Sequence, residues 1–122
     1  MSERPSLTQA QLDQFTGSET WWRHPLNRRT TFTDGVRFLA EQAGAYWLID
    51  EILLIQPEAA KLGLPDWQFW RLNVHADKSA TLACHDGDGV IAYAKEIGWT
   101  DFPLKRVELW FMNDVLYLPS EH

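Results

Sequence analysis

Cysteine is almost missing from this sequence. Cys84 stands alone among 122 residues, which excludes an intramolecular disulfide and any multi-cysteine zinc site. Long apolar runs are missing too: the longest, around Ala45–Ile49 and Ile52–Ile55, are interrupted by Asp50 and Glu51 and are too short to span a bilayer. No basic stretch leading into an apolar one opens the chain, so no secretory signal is expected. Internal repeats, a phosphate-binding glycine loop, a serine-hydrolase elbow and a His-x-x-x-His spacing are all absent. Basic charge is in deficit, with 11 Lys and Arg against 17 Asp and Glu and a net charge of −6, which disfavours nucleic acid as a partner. What remains is a single reduced, cytoplasmic domain over residues 1–122, with no membrane segment, metal or cofactor expected.

Tryptophan, by contrast, is abundant. Seven occur, two of them adjacent at Trp21 and Trp22, and a domain of this size needs only a few for its core. A Trp favours sites apolar at one end and wet at the other, so the surplus points to an aromatic surface kept for a partner, a ligand or a second copy. The charge is also unevenly spread. Arg23, Arg28 and Arg29 fall between Trp21 and Thr31 with no acid among them, which leaves −9 on the rest of the chain.

The pattern predicts an α+β fold, with N-terminal helices (about 1–64) packed on a C-terminal antiparallel meander of about five strands (about 65–119). A first short helix carries a capping box at Thr8 and Gln11 and a Leu7–Leu12 staple, with Gly17 as its stop. Residues 18–31 show no sustained period and read as an ordered loop. Thr33 caps a second helix that stops at Gly44, and a third runs from about Ala45 to Ile55, where Pro57 kinks or restarts it. Beyond Pro65 the period becomes alternating. Trp70, Leu72, Val74 and Ala76 share a face, continued by Leu82 and Cys84, and the Asp86-Gly87-Asp88-Gly89 turn places Cys84 opposite Ile91 and Leu82 opposite Tyr93. A hairpin centred on Asn113-Asp114 puts Leu109, Phe111, Leu116 and Leu118 on one face and Trp110, Met112, Val115 and Tyr117 on the other. Both faces are apolar, so the second needs a cover: the N-terminal segment, a partner or a symmetry mate.

Several stretches resemble a family of short uncharacterised bacterial proteins often carried on plasmids and phages. They are Phe15-Thr16-Gly17-Ser18-Glu19, Trp22-Arg23-His24, Thr33-Asp34-Gly35-Val36, Gly44-Ala45-Tyr46-Trp47-Leu48 with Asp50-Glu51-Ile52, Asp101-Phe102-Pro103 and Leu118-Pro119-Ser120-Glu121. The resemblance covers most of the chain and implies a single small bacterial domain of unknown function, with no activity or site.

Two constellations are candidate sites. The first is the loop carrying Trp22, Arg23, His24, Arg28 and Arg29, in which arginine forks and indole faces suit a small anionic ligand or single-stranded nucleic acid. The alternative there is that the indoles plug the core and the arginines pair with the chain's own acids. The second is the face formed by Trp110, Met112, Val115 and Tyr117, residue types enriched at interface cores. The chain's own helices, with Trp99 and Phe102 at the corner, are its alternative cover. Asp50 and Glu51 point about 100° apart on a helix, so one is expected to face solvent and the other to pair with Arg23 or Arg37. His75 and His85 share a face, but with His85 opposite Arg71 they stand roughly 13 Å apart, too far for one metal ion. Asp86-Gly87-Asp88-Gly89 lacks the glutamate of a calcium loop, since its twelfth position is Ile97. Cys84 points inward and is expected to be inert.

The functional expectation is a non-enzymatic interaction or regulatory accessory module, homodimeric through the aromatic hairpin face. The alternative is an anion or single-stranded nucleic-acid binder using residues 21–29. Third is an enzyme of unassigned reaction, with His24 as base and Asp50 or Glu51 orienting it.

Overall fold

The computed structural model describes residues 7–17 and 20–122. Ser18 and Glu19, which fall within the loop expected over 18–31, lie outside the described residues. Helix α1 (Gln9–Asp13) starts at the expected capping box, with Thr8 Oγ1 accepting from Gln11 N at 3.2 Å. It ends at Gln14 rather than running to Gly17. Phe15 N donates back to Leu12 O at 3.1 Å, and the Phe15 ring packs 5.2 Å from Phe38, which fixes the exit.

The stretch expected to be a loop contains a short hairpin, β1 (Trp21–Arg23) and β2 (Thr31–Thr33). Three residues per strand are too few to show a period. Helix α2 (Asp34–Ala43) follows directly. Thr33 caps it, and Gly44 ends it at φ 62, a left-handed conformation that glycine adopts without strain. Helix α3 (Tyr46–Leu53) supplies Leu48, Ile49, Ile52 and Leu53 to the core, and a 3-10 turn at Gln56–Glu58 leads to α4 (Ala59–Leu62).

The sheet strands are β3 (Gln68–Val74), β4 (Ala80–His85), β5 (Ile91–Ile97), β6 (Arg106–Met112) and β7 (Val115–Tyr117). The fold is α+β, but the five-strand antiparallel meander is corrected to a seven-stranded mixed sheet in the order β1-β2-β7-β6-β3-β4-β5. Strands β3 to β5 do meander. β6 then crosses back to the free side of β3, and β2 joins the sheet by pairing in parallel with β7. The crossing is tied down by Val74 N to Lys105 O and Thr100 N to Lys78 O, both 2.8 Å.

Two registers differ from expectation by two residues. Strand β3 ends at Val74 because His75–Ser79 closes a tight turn with Lys78 at φ 69, so Arg71 faces Ala83 and His85 faces Phe69. Cys84 pairs with Tyr93 and Leu82 with Lys95, because the turn closes between Asp86 and Val90, one residue beyond the expected register, and an irregularity between Cys84 and His85 absorbs another residue of β5. The inner face is unaffected. Trp70, Leu72, Leu82, Cys84, Val107, Leu109, Phe111 and Leu116 pack with the buried faces of α2 and α3 in one core.

Candidate functional site

The Trp/Arg loop is largely tied into the fold. Trp22 Nε1 donates to Asp34 Oδ1 at 2.9 Å, and the Arg37 guanidinium lies 3.8 Å from the Trp22 ring centroid. Arg23 donates to the Arg28 carbonyl. His24 is 1% exposed, with Nε2 against Asp50 Oδ1 at 2.7 Å, and Nδ1 accepts from Leu26 N and Asn27 N at 3.2 and 2.9 Å. Two backbone donors on Nδ1 require the tautomer that carries its proton on Nε2. Both ring nitrogens are thus engaged, and neither is free to take a proton from a substrate. The His24–Asp50 contact works as a tie from the β1–β2 loop to α3, reinforced by Asn27 Nδ2 to Leu53 O at 2.8 Å.

The expected partners of the two α3 acids are corrected. Asp50 pairs with His24, Glu51 pairs with Lys95 of β5 at 2.8 Å, and Arg37 goes to Glu41 at 2.6 Å. Their divergence on the helix sends one acid toward the loop and the other toward the sheet edge. Arg28 is exposed, and Arg29 is 85% exposed with Asp114 at 3.9 Å. Of the five loop residues named from sequence, these two arginines point most freely to solvent.

The second candidate lies on the sheet face opposite α2 and α3. Register places a row of side chains across it: Trp21 beside Thr33, Tyr117 beside Trp110, Trp110 beside Phe69, and Phe69 beside His85. Thr33 continues the parallel β2–β7 pairing to Tyr117, so the row crosses six strands, about 24 Å at about 4.8 Å each. Met112, Val115 and Trp67 adjoin it, and Arg71 with Glu108 lies beyond at 3.1 Å. The rings pack edge to face: Trp110 stands 5.1 Å from Phe69, 6.0 Å from Trp67 and 6.2 Å from Tyr117. His122 packs on the same group. Of the corner residues expected to help cover this face, Phe102 is buried in the helix-side core and Trp99 is 64% exposed.

Among the described residues, four buried side-chain polar atoms have no hydrogen-bond partner: Trp67 Nε1, Arg71 Nε, His85 Nδ1 and Trp110 Nε1. All belong to this face. Trp67 faces the Tyr117 hydroxyl, yet no acceptor stands within hydrogen-bond geometry of its Nε1. Each such group costs about 1–3 kcal/mol. Beside the row a cleft of about 270 Å³ is lined by Trp21, Thr33, Met112, Val115, Tyr117 and Glu121 among others. Burial raises the Tyr117 phenol above its usual range. Trp67, Phe69 and His122 were not read as site residues from sequence. The alternation that put Arg71 on this face, followed back by two and four positions, reaches Phe69 and Trp67; His122 carried no comparable signal.

Two of the stretches that carry the resemblance meet in space. Glu121 Oε1 accepts from Thr33 Oγ1 at 2.6 Å and Leu118 N at 2.9 Å, and Oε2 accepts from Gly35 N at 3.3 Å. The Thr33-Asp34-Gly35-Val36 and Leu118-Pro119-Ser120-Glu121 stretches therefore form one clasp at the start of α2, where its dipole favours a carboxylate. A family of unknown function, DUF6876, matches residues 6–122. The chain belongs to DUF6876. No curated protein and no solved structure matches it. In this DUF6876 chain the burial of Cys84 pushes its thiol up to about 12, which leaves it a poor nucleophile. Among the described residues, no helix is long and apolar enough to cross a membrane.

Proposed function

We propose that this DUF6876 protein is a non-enzymatic interaction module, an accessory or regulatory protein of the bacterial cytoplasm, that docks through its open aromatic sheet face. Its specific form is a homodimer with Trp110, Met112, Val115 and Tyr117 at the contact. The observation that carries this reading is the aromatic row on the face opposite α2 and α3, with the Trp110 indole N–H left without a partner among the described residues. Charge supports a second copy as the occupant. The face carries Arg23, Arg71 and Arg106 against Glu96 and Glu108 on a chain of net charge −6, so two copies meet there without the repulsion expected elsewhere. The row is about 24 Å long, and its two central strands, β3 and β6, are each seven residues, so the widest part of the face lies around Trp110 and Phe69. Nucleic acid is no part of this reading, because the charge outside the arginine loop opposes a polyanion.

The test is substitution followed by sizing. Trp110→Ala with Tyr117→Ala gives a folded monomer. Because Tyr117 is only 9% exposed, Met112→Glu is the companion variant: it sets a charge on the face, keeps every ring and also yields a folded monomer. Dimers that persist in both variants contradict the proposal.

A further inference from the structure

The imidazole of His122 sits in a box of three rings. Its centroid lies 5.2 Å from Trp67, 5.3 Å from Trp110 and 5.9 Å from Tyr117. It stacks on Tyr117 at 12°, tilts 37° from Trp67 and meets Trp110 at 69°. The walls and the occupant are held differently. Trp110 and Tyr117 are paired across β6 and β7, and Trp67 stacks on Phe69 of β3 at 5.2 Å, so neighbouring strands fix the box. His122 is exposed, and its ring is tied to the Tyr117 hydroxyl by one long hydrogen bond of 3.3 Å.

Three aromatic rings around one nitrogen-bearing group, Tyr117 stacked on it, Trp67 tilted and Trp110 near perpendicular, are an arrangement that attracts a cation, best when the cation sheds water easily. A lysine ammonium is strongly hydrated, whereas a methylated ammonium is not. The nearby acids are already engaged: Glu108 pairs with Arg71 and Arg106 at 3.1 and 3.3 Å, and Glu121 accepts from Thr33 and Leu118, so attraction for a cation rests on the rings themselves. Among the described residues the Trp110 indole N–H has no hydrogen-bond partner, and that of Trp67 faces only the Tyr117 hydroxyl, so packing between the rings sets the box. We infer that Trp67, Trp110 and Tyr117 form a cage for a methylated ammonium group, with His122 as its displaceable plug. This rests on the open face being a recognition surface and names the chemical group that one end of it takes. A ligand in the box and a second copy on the face compete for Trp110 and Tyr117, so each reading needs its own readout.

The experiment titrates tetramethylammonium chloride into the protein, with sodium chloride at equal ionic strength as control. It follows the ligand methyl protons by NMR and tryptophan fluorescence. Wild type gives a saturable upfield methyl shift, and His122→Ala, which removes the plug, binds at least about threefold more tightly. Trp67→Ala weakens binding about 3- to 30-fold, the range expected for one lost aromatic wall. Trp67→Phe, which keeps a ring in place, retains intermediate binding and guards against misfolding. Choline and a trimethyl-lysine peptide separate the sources: tighter binding of the peptide assigns the box to a protein partner, and tighter binding of choline to a free small molecule. No saturable shift with any of the three probes, in wild type and in His122→Ala alike, overturns the inference. Light scattering without added ligand reads dimerisation alone, so failure of one reading is distinguishable from failure of the other.

Discussion

Gly35→Ala tests how the two ends of the chain are clasped. A Cβ at position 35 would lie 2.6 Å from Glu121 Oε1 and 2.7 Å from Leu118 Cδ1, closer than any settled contact. The carboxylate must swing away. Three interactions then weaken, from Thr33 Oγ1, Leu118 N and Gly35 N. Hydrogen bonds to a charged group contribute about 1.5–3 kcal/mol each, but the site is half-buried and the side chain can keep part of the set, so about 3 kcal/mol is a fair loss. Replacing glycine by alanine in a helix returns about 0.5–1 kcal/mol. The net expectation is about 2 kcal/mol of destabilisation, or roughly 6–10 °C in Tm for a domain of this size. Thermal and urea unfolding read it directly. In a Glu121→Ala background the carboxylate is gone and only the Leu118 methyl must give way, so the same substitution should cost clearly less, giving a coupling energy of about 1–2 kcal/mol. A Gly35→Ala protein as stable as wild type, or an equal cost in both backgrounds, would refute the reasoning.

Three further outcomes are expected. His24→Ala removes a 1% exposed ring and strands the Leu26 and Asn27 donors, so urea unfolding should show a loss of about 3 kcal/mol; a change under about 0.5 kcal/mol would contradict the tie to Asp50. Cys84 is fully buried with its thiol raised to about 12, so a thiol reagent at pH 8 should label it only after denaturation, and prompt labelling of the native protein would be inconsistent. Its raised value also sets a pH dependence: above an unfolded value of 9.0 the unfolded chain releases a proton that the native state keeps. Stability therefore falls as pH rises from about 9 toward 12, and Cys84→Ala should flatten that fall relative to wild type. Arg28→Ala with Arg29→Ala should leave stability within about 0.5 kcal/mol, because both side chains are exposed, and abolish any salt-sensitive anion binding by the loop. Unchanged binding in that variant, or none by wild type across an anion panel, removes the loop reading.

The legible parts of the fold were those with local causes. Thr8 with Gln11, Thr33 and Gly44 announce helix ends through capping chemistry, and the alternation from Trp70 to Val74 and from Leu109 to Leu118 assigns faces. Where long-range pairing decided the outcome, the chain was opaque. Nothing local marks Thr31–Thr33 as the parallel neighbour of Val115–Tyr117, and a two-residue shift at the Asp77–Ser79 turn preserves the inner face while moving every cross-strand partner. The same holds for the sites. Two apolar faces on one hairpin flagged Trp110 and Tyr117, whereas Trp67 and His122 reach them only through the fold. The loop residues drew attention by type, but what each touches (Asp34, Arg37, Asp50, a carbonyl) depended on where α2 and α3 came to rest.

Light scattering of the pure protein across a concentration series is the most direct test of the open face as a contact surface. A species near 28 kDa, about twice the 14.2 kDa chain, that becomes monomeric on Met112→Glu is the predicted result. A strict monomer at every concentration would contradict the homodimer.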